Sequence, residues 1–356
     1  MYSESDLQAA VEAGAISRDA ADALRAHVAD MRSAPAVDEE QFRLLTGFND
    51  IFVTIAATIL LVAVAWLANM MKVGAPAHGA SPLAGLAVAA VAWFLAEYFT
   101  RRRRMALPSI VLLLAFSGGV FACLMALMML MFPNAGHQTA AILVALCAAG
   151  TAGATYAHWR RFMVPITVAV GAAAAAGVIL ALIVSAVPTI AEGKAMFVLT
   201  MIAGLAIFGY AMWWDMSDRA RQTRRSDVAF WLHLAAAPAI AHSLFQLLGV
   251  FNGDIGAGKA VMVLALYVAF GLVALAVDRR ALLVSSLAYV LYAMYALFTK
   301  AGAVEASAAL TALLIGSALL LLSALWHVAR RFVVGGLPEG LRMKLPYVDR
   351  DVVATV

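Results

Sequence analysis

Ten long apolar runs, broken by short polar stretches, dominate the chain. They predict helices at about 49–71, 82–100, 107–132, 138–157, 163–187, 195–213, 228–250, 258–277, 281–298 and 306–326. A helix needs roughly 20 apolar residues to cross a hydrocarbon core of about 30 Å, and each run is close to that length. The runs are continuously apolar, whereas a membrane β-barrel would alternate apolar and polar residues over about ten positions. The pattern therefore predicts an all-α, polytopic membrane bundle of ten helices over residues 49–326.

The flanks read differently. Residues 1–34 predict a small amphipathic helical hairpin. Leu7 and Val11 share one face of the first helix, Gly14 stops it, and Ser17 caps the second. Leu24, Val28 and Met31 continue an apolar stripe at i, i+4, i+7. Residues 35–48 are an acidic linker with Asp38, Glu39 and Glu40, and residues 327–356 a polar tail with little periodicity. The first forty or so residues are polar and acidic, unlike a cleavable signal with its basic start and early apolar core.

Composition fits this reading. The 356 residues are 64% hydrophobic and 13% charged, with a mean hydropathy of +0.91. A soluble domain averages about 45–50% apolar and about 25% charged. The net charge of +4 is not a nucleic-acid signature, because the basic residues sit beside spans. Cys123 and Cys147 lie inside apolar runs without CxxC spacing, so neither a metal site nor a disulfide framework is expected. Met125, Met128, Met129 and Met131 fit core filling better than a soft-metal entrance. No cofactor is implied.

Charge by side orients the chain. Connections after the even-numbered runs hold Arg101–Arg104, Arg160, Arg161, Arg219, Arg221, Arg224, Arg225, Arg279 and Arg280, and the tail adds Arg330 and Arg331. The alternate connections hold only Lys72, Lys194, Lys259 and Lys300. Short-loop Lys/Arg bias predicts that the Arg-bearing loops and both termini are cytoplasmic, in a bacterial inner membrane. The basic turns at 103–109, 160–167 and 279–286 resemble one another, as repeated two-helix hairpins or as ordinary basic flanks.

Candidate chemistry is sparse. Asp50 opens the first span, and Glu97 precedes Arg101 by one turn, the favourable order for a helical ion pair. An ionisable group at the bilayer centre costs about 2.5–3.5 kcal/mol, so such groups are the first functional candidates. The seventh span is the most polar, with His233, Pro238, His242 and Gln246. The ninth carries Ser285, Tyr289, Tyr292, Tyr295 and Thr299 within about a third of its circumference. Cavity lining and plain interhelical hydrogen bonding both account for these residues. The small-residue runs Gly150–Ala154 and Gly171–Gly177 allow close helix packing. No HExxH, GxSxG or P-loop pattern is present, so metalloprotease or serine-hydrolase chemistry has no residues to stand on.

The N-terminal element, with Leu7, Gly14, Ile16, Ser17, Ala21 and Leu24, resembles that of a group of uncharacterised bacterial multi-pass membrane proteins. The layout of ten spans with both ends inside is similar in topology to the drug/metabolite transporter superfamily. The polar seventh span with Pro238 and the tyrosine stripe of the ninth predict a small-molecule or ion transporter, with Asp50, Glu97, His233, His242, Gln246, Tyr289 and Tyr292 as cavity or coupling candidates. The alternative is a non-transporting scaffold that forms homo-oligomers or recruits partners through the hairpin. The lipid bilayer is the expected surrounding in either case.

Overall fold

The computed structural model describes Leu7 and residues 10–24, 48–71, 81–221, 223–250, 256–300 and 306–348. The chain forms two compact units, Met1–Phe42 and Arg43–Val356. In the first, the helix through Glu12 ends in a turn with Gly14 at φ +69°. Amides of Gly14 and Ala15 return to the Val11 and Ala10 carbonyls, a Schellman arrangement that glycine reaches without a Cβ penalty. Ser17 Oγ then accepts from the Ala20 amide at 3.1 Å and caps the next helix. Val28, Met31 and the acidic linker lie outside the described residues.

In the second unit the ten apolar runs are ten helices long and apolar enough to cross a membrane. They are α1 (Phe48–Met70), α2 (Pro82–Ala96, continued by a π-helical turn Glu97–Arg102), α3 (Ala106–Met131), α4 (His137–Phe162) and α5 (Ile166–Ala186). Then come α6 (Lys194–Met216), α7 (Arg224–Leu247), α8 (Ala257–Val277), α9 (Ala281–Lys300) and α10 (Ser307–Ala324). No strand occurs among the described residues. Helix starts follow local chemistry. Ser81 Oγ accepts from the Leu83 amide with Pro82 at N1, and Thr223 Oγ1 accepts from the Arg225 amide.

The closest partners are α2 with α3, α4 with α5, α6 with α7, and α8 with α9. All four are hairpins closed by an Arg-bearing turn. Every described non-glycine residue with positive φ sits in one of those turns: Arg104, Met163, Arg221 and Asp278. Their steps along the chain, 104 to 163 to 221 to 278, are 59, 58 and 57 residues. Glu97 at the end of α2 binds Arg161 of α4, and Asp215 at the end of α6 binds Arg279 after α8. Each pair is separated by 64 residues, and the second is displaced from the first by 118 residues, from 97 to 215 and from 161 to 279. The stretches α2–α5 and α6–α9 thus repeat one spacing of turns and of an acid–Arg bridge.

Helix α7 is the hub. It packs on α5, α6 and α9, and 56% of its span is buried, where no other span exceeds 39%. Its small residues Ala236, Ala237 and Ala241 share one buried cluster with Val290 of α9 and Phe270 of α8, and Phe270 meets Phe245 edge to face at 6.1 Å. Pro238 points outward and α7 runs through it as one unbroken helix. Helices α4 and α5, which carry the small-residue runs, pack closely, and a Cβ on Gly150 would lie 2.8 Å from Leu124 Cδ1; the closest backbone approach is between α2 and α3. A Cβ on Gly85 would lie 2.5 Å from the Cys123 amide nitrogen, and one on Gly119 would lie 2.7 Å from the Gly85 carbonyl. At Gly171 and Gly177 the nearest atoms are at ordinary contact distance, 3.7 and 3.8 Å.

The tail departs from the sequence reading. It forms α11 (Trp326–Gly335) and a short α12 (Glu339–Arg342), then folds back. Trp326, Arg330 and Val334, at i, i+4, i+8, give α11 a buried stripe that the density of charged residues hides in sequence.

Candidate functional site

Helices α6, α7 and α9 meet at Asp215. This aspartate closes the long apolar α6 in its last turn and has no solvent exposure. Arg279 enters from the α8–α9 turn and donates through Nη2 to Asp215 Oδ1 at 2.7 Å. The same nitrogen donates to the Ser226 carbonyl at 3.0 Å, tying the turn to the start of α7. His233, 2% exposed on α7, holds the other carboxylate oxygen, Nε2 to Oδ2 at 2.9 Å. With a neutral ring this contact requires the proton on Nε2, since the carboxylate only accepts. Phe208 presents its edge to the imidazole at 4.9 Å, and Phe230 lies under the Arg279 guanidinium at 5.8 Å. A small cavity between His233, Arg279, Phe208 and Leu282 has space for about one water.

A second carboxylate stands beside this centre. Asp278 is the left-handed residue of the α8–α9 turn, where aspartate is tolerated better than most side chains. Its amide end is fixed because the Arg279 N–H returns to the Ala274 carbonyl. Its carboxylate accepts from Arg221 Nη1 at 2.7 Å and from Trp326 Nε1 at 2.8 Å, and Arg330 Nε lies 3.6 Å away. Burial pushes the Asp278 carboxyl up, but Arg221 and Arg330, the Trp326 bond and Arg279 outweigh it and hold the group below the usual carboxylate range. Burial, with the like charge of Arg279, pulls the Arg221 guanidinium down to about 10 against the pull of Asp278 and Asp215. Arg280 stacks on Trp326 at 4.6 Å.

Residues 345–347 roof the cluster. Arg330 donates to the Tyr347 and Pro346 carbonyls at 3.0 and 2.9 Å. Arg219, from the α6–α7 turn, donates to the Leu345 carbonyl at 2.8 Å and lies 4.3 Å over the Tyr347 ring. Leu345 is buried with Val277 and Val334. The α6–α7 turn, the α8–α9 turn and α11 are thereby tied together by residues 345–347.

The sequence-predicted residues are distributed over several places. His233 is in the cluster. His242 and Tyr289 meet further along α7, Nδ1 to Oη at 2.6 Å, and Tyr289 stacks on Phe245 at 4.3 Å. Nine residues separate the two histidines, about 13 Å along a helix. Gln246 is half-buried one turn beyond. Tyr292 and Tyr295 are 38% and 45% exposed and face outward. The buried face of α9 is set by Leu282, Ser286, Tyr289 and Ala293, so the hydroxyl stripe reaches the interior only at Tyr289. Asp50 is buried in the first turn of α1, where its carbonyl accepts from Thr54 Oγ1.

Glu97 belongs to the equivalent bridge of the first repeat. Its main partner is Arg161, Nε to Oε1 at 2.6 Å and Nη2 to Oε2 at 3.0 Å, and Arg101 is secondary at 3.4 Å. That bridge is open to solvent, with Arg161 41% exposed, where its counterpart is closed, with Arg279 at 7% and Asp215 at 0%. His158 sits near the first bridge among Trp93, Phe116 and Phe162, 1% exposed and with neither ring nitrogen bonded.

Sequence reasoning missed Asp215 and Asp278, and read Arg221, Arg279 and Arg330 only as orienting charges. The available signals were a lone carboxylate closing an apolar run and another directly before an Arg pair. No protein-family model, curated protein or solved structure matches this chain.

Proposed function

We propose that the chain is a small-molecule or ion transporter of the bacterial inner membrane, with Asp215, His233 and Arg279 as its coupling centre. The observation that carries this reading is the unequal fate of one bridge built twice. In the first repeat it is a surface ion pair, which contributes little. In the second it is buried, costly to desolvate, and joined by a titratable imidazole at the meeting point of three spans. Asp215 and Arg279 are balanced while His233 is neutral. A proton on His233 adds one uncompensated buried charge, which favours an arrangement that opens the cluster to water. Proton binding at His233 would thereby bias two packings of α6, α7 and α9. His242 with Tyr289 supplies a second polar group on the same helix, toward the opposite face.

The reading is tested with the purified full chain in proteoliposomes on a solid-supported membrane. Amino acids, nucleosides, organic cations and organic anions are applied in turn under an imposed pH step. A transient current is expected for at least one class, and His233→Asn should reduce it at least tenfold while the protein remains monodisperse. Silence of the wild type toward all four classes, or an unchanged current in the variant, overturns the reading. The separate compact unit at Met1–Phe42 favours the scaffold alternative in that event.

A further inference from the structure

Helix α11 has two apolar faces. Trp326, Arg330 and Val334 face the protein and are buried. Val328 and Phe332, one turn apart on another face, are 65% and 85% exposed. Leu341 and Met343, just beyond, are 51% and 61% exposed. Large apolar groups left bare outside the ten spans need a covering surface. Three features select its chemistry. Helix α11 starts two residues after α10 ends, at the level where the chain leaves the span. Residues 325–348 hold four Arg or Lys against one carboxylate, Glu339. Arg331, Arg342 and Lys344 are exposed around the apolar groups. An apolar stripe rimmed by cations beside a bilayer is the pattern of a helix lying in the membrane surface, and the cations favour anionic headgroups.

We propose that α11 is an in-plane anchor docked on anionic phospholipid, with Val328 and Phe332 immersed at the headgroup boundary and Arg342 and Lys344 on the headgroups. The opposite face of the same helix carries Arg330 to Asp278 and to the tail carbonyls. Lipid contact therefore holds the roof of the Asp215–Asp278 cluster in place. The inference rests on the ten helices being membrane spans and is independent of any transported substrate.

The test uses the full-length chain with Cys123→Ser and Cys147→Ser, labelled at Phe332→Cys with an environment-sensitive fluorophore. Single copies are placed in nanodiscs of phosphatidylcholine, with or without phosphatidylglycerol. With phosphatidylglycerol the emission should shift to the blue, lipids spin-labelled near the headgroup should quench it, and aqueous iodide should lose its access. Arg342→Gln with Lys344→Gln should abolish the difference between the two lipids. Val328→Cys gives the same readout should labelling at 332 disturb assembly. Free iodide access at both positions in both lipids overturns the proposal. So does protection that appears only when two copies share a disc, which assigns the face to a second copy, and so does immersion indifferent to phosphatidylglycerol.

Discussion

Asp215 makes two partners depend on one buried charge. Taking a carboxylate and a guanidinium out of water costs several kcal/mol each, and their attraction repays this only with good geometry. The 2.7 Å contact and the second bond of Arg279 to Ser226 meet that condition. Asp215→Asn leaves Arg279 buried and uncompensated, and should lower unfolding free energy by about 3–5 kcal/mol. The double variant Asp215→Leu with Arg279→Met removes both charges and should recover most of the loss. Chemical unfolding in detergent micelles reads both, and a double variant no better than the single one would deny the pairing. Asp278 gives a pH dependence with a definite sign. Its folded pKa is depressed, so its stabilisation is complete above the unfolded value of about 3.9 and is lost as pH falls from there through the folded value. Thermal melting between pH 6 and pH 3 should show this loss, and Asp278→Asn should be less stable at pH 6 and flatter below it.

At the scale of elements, hairpins are the units, and backbone contact fixes the α2–α3 hairpin. Gly85 of α2 and Gly119 of α3 meet so closely that any side chain at either must push a helix backbone away. Gly85→Val should lose the folded protein or lower its melting temperature by many degrees, whereas Gly153→Ala, which meets nothing within 4 Å, should be neutral. Melting of purified variants compares them directly. The span count was legible in sequence because each run is long, continuous and flanked by charge. The cap at Ser17 and the stop at Gly14 were legible because they are local. Which glycines meet a backbone was not, since Gly85 and Gly119 are apart in sequence and look no different from Gly171 or Gly177. Helix α11 escaped for a similar reason. Its buried stripe contains an arginine, and hydropathy scores that position as exposed.

At the scale of the molecule, the stretches α2–α5 and α6–α9 repeat one spacing of turns and of an acid–Arg bridge, with the buried chemistry concentrated in the second. Hydropathy finds the spans but is blind to this, because the repeat survives in four left-handed turn residues and two ion pairs, not in matching apolar side chains. The candidate site was half legible. His233 stood out as polar in an apolar run, but its meaning depends on Asp215 and Arg279, which only the packing of α6, α7 and α9 brings together. The 64 residues between Asp215 and Arg279 also have a consequence for how the chain is made. During synthesis α6 and α7 are complete while the guanidinium that neutralises Asp215 is still to be added. For that interval Asp215 has His233 and the more distant charge of Arg221 as companions, and the nascent hairpin carries an acid without its close guanidinium partner. The close pairing of Asp215 is therefore completed only when the α8–α9 turn has been made.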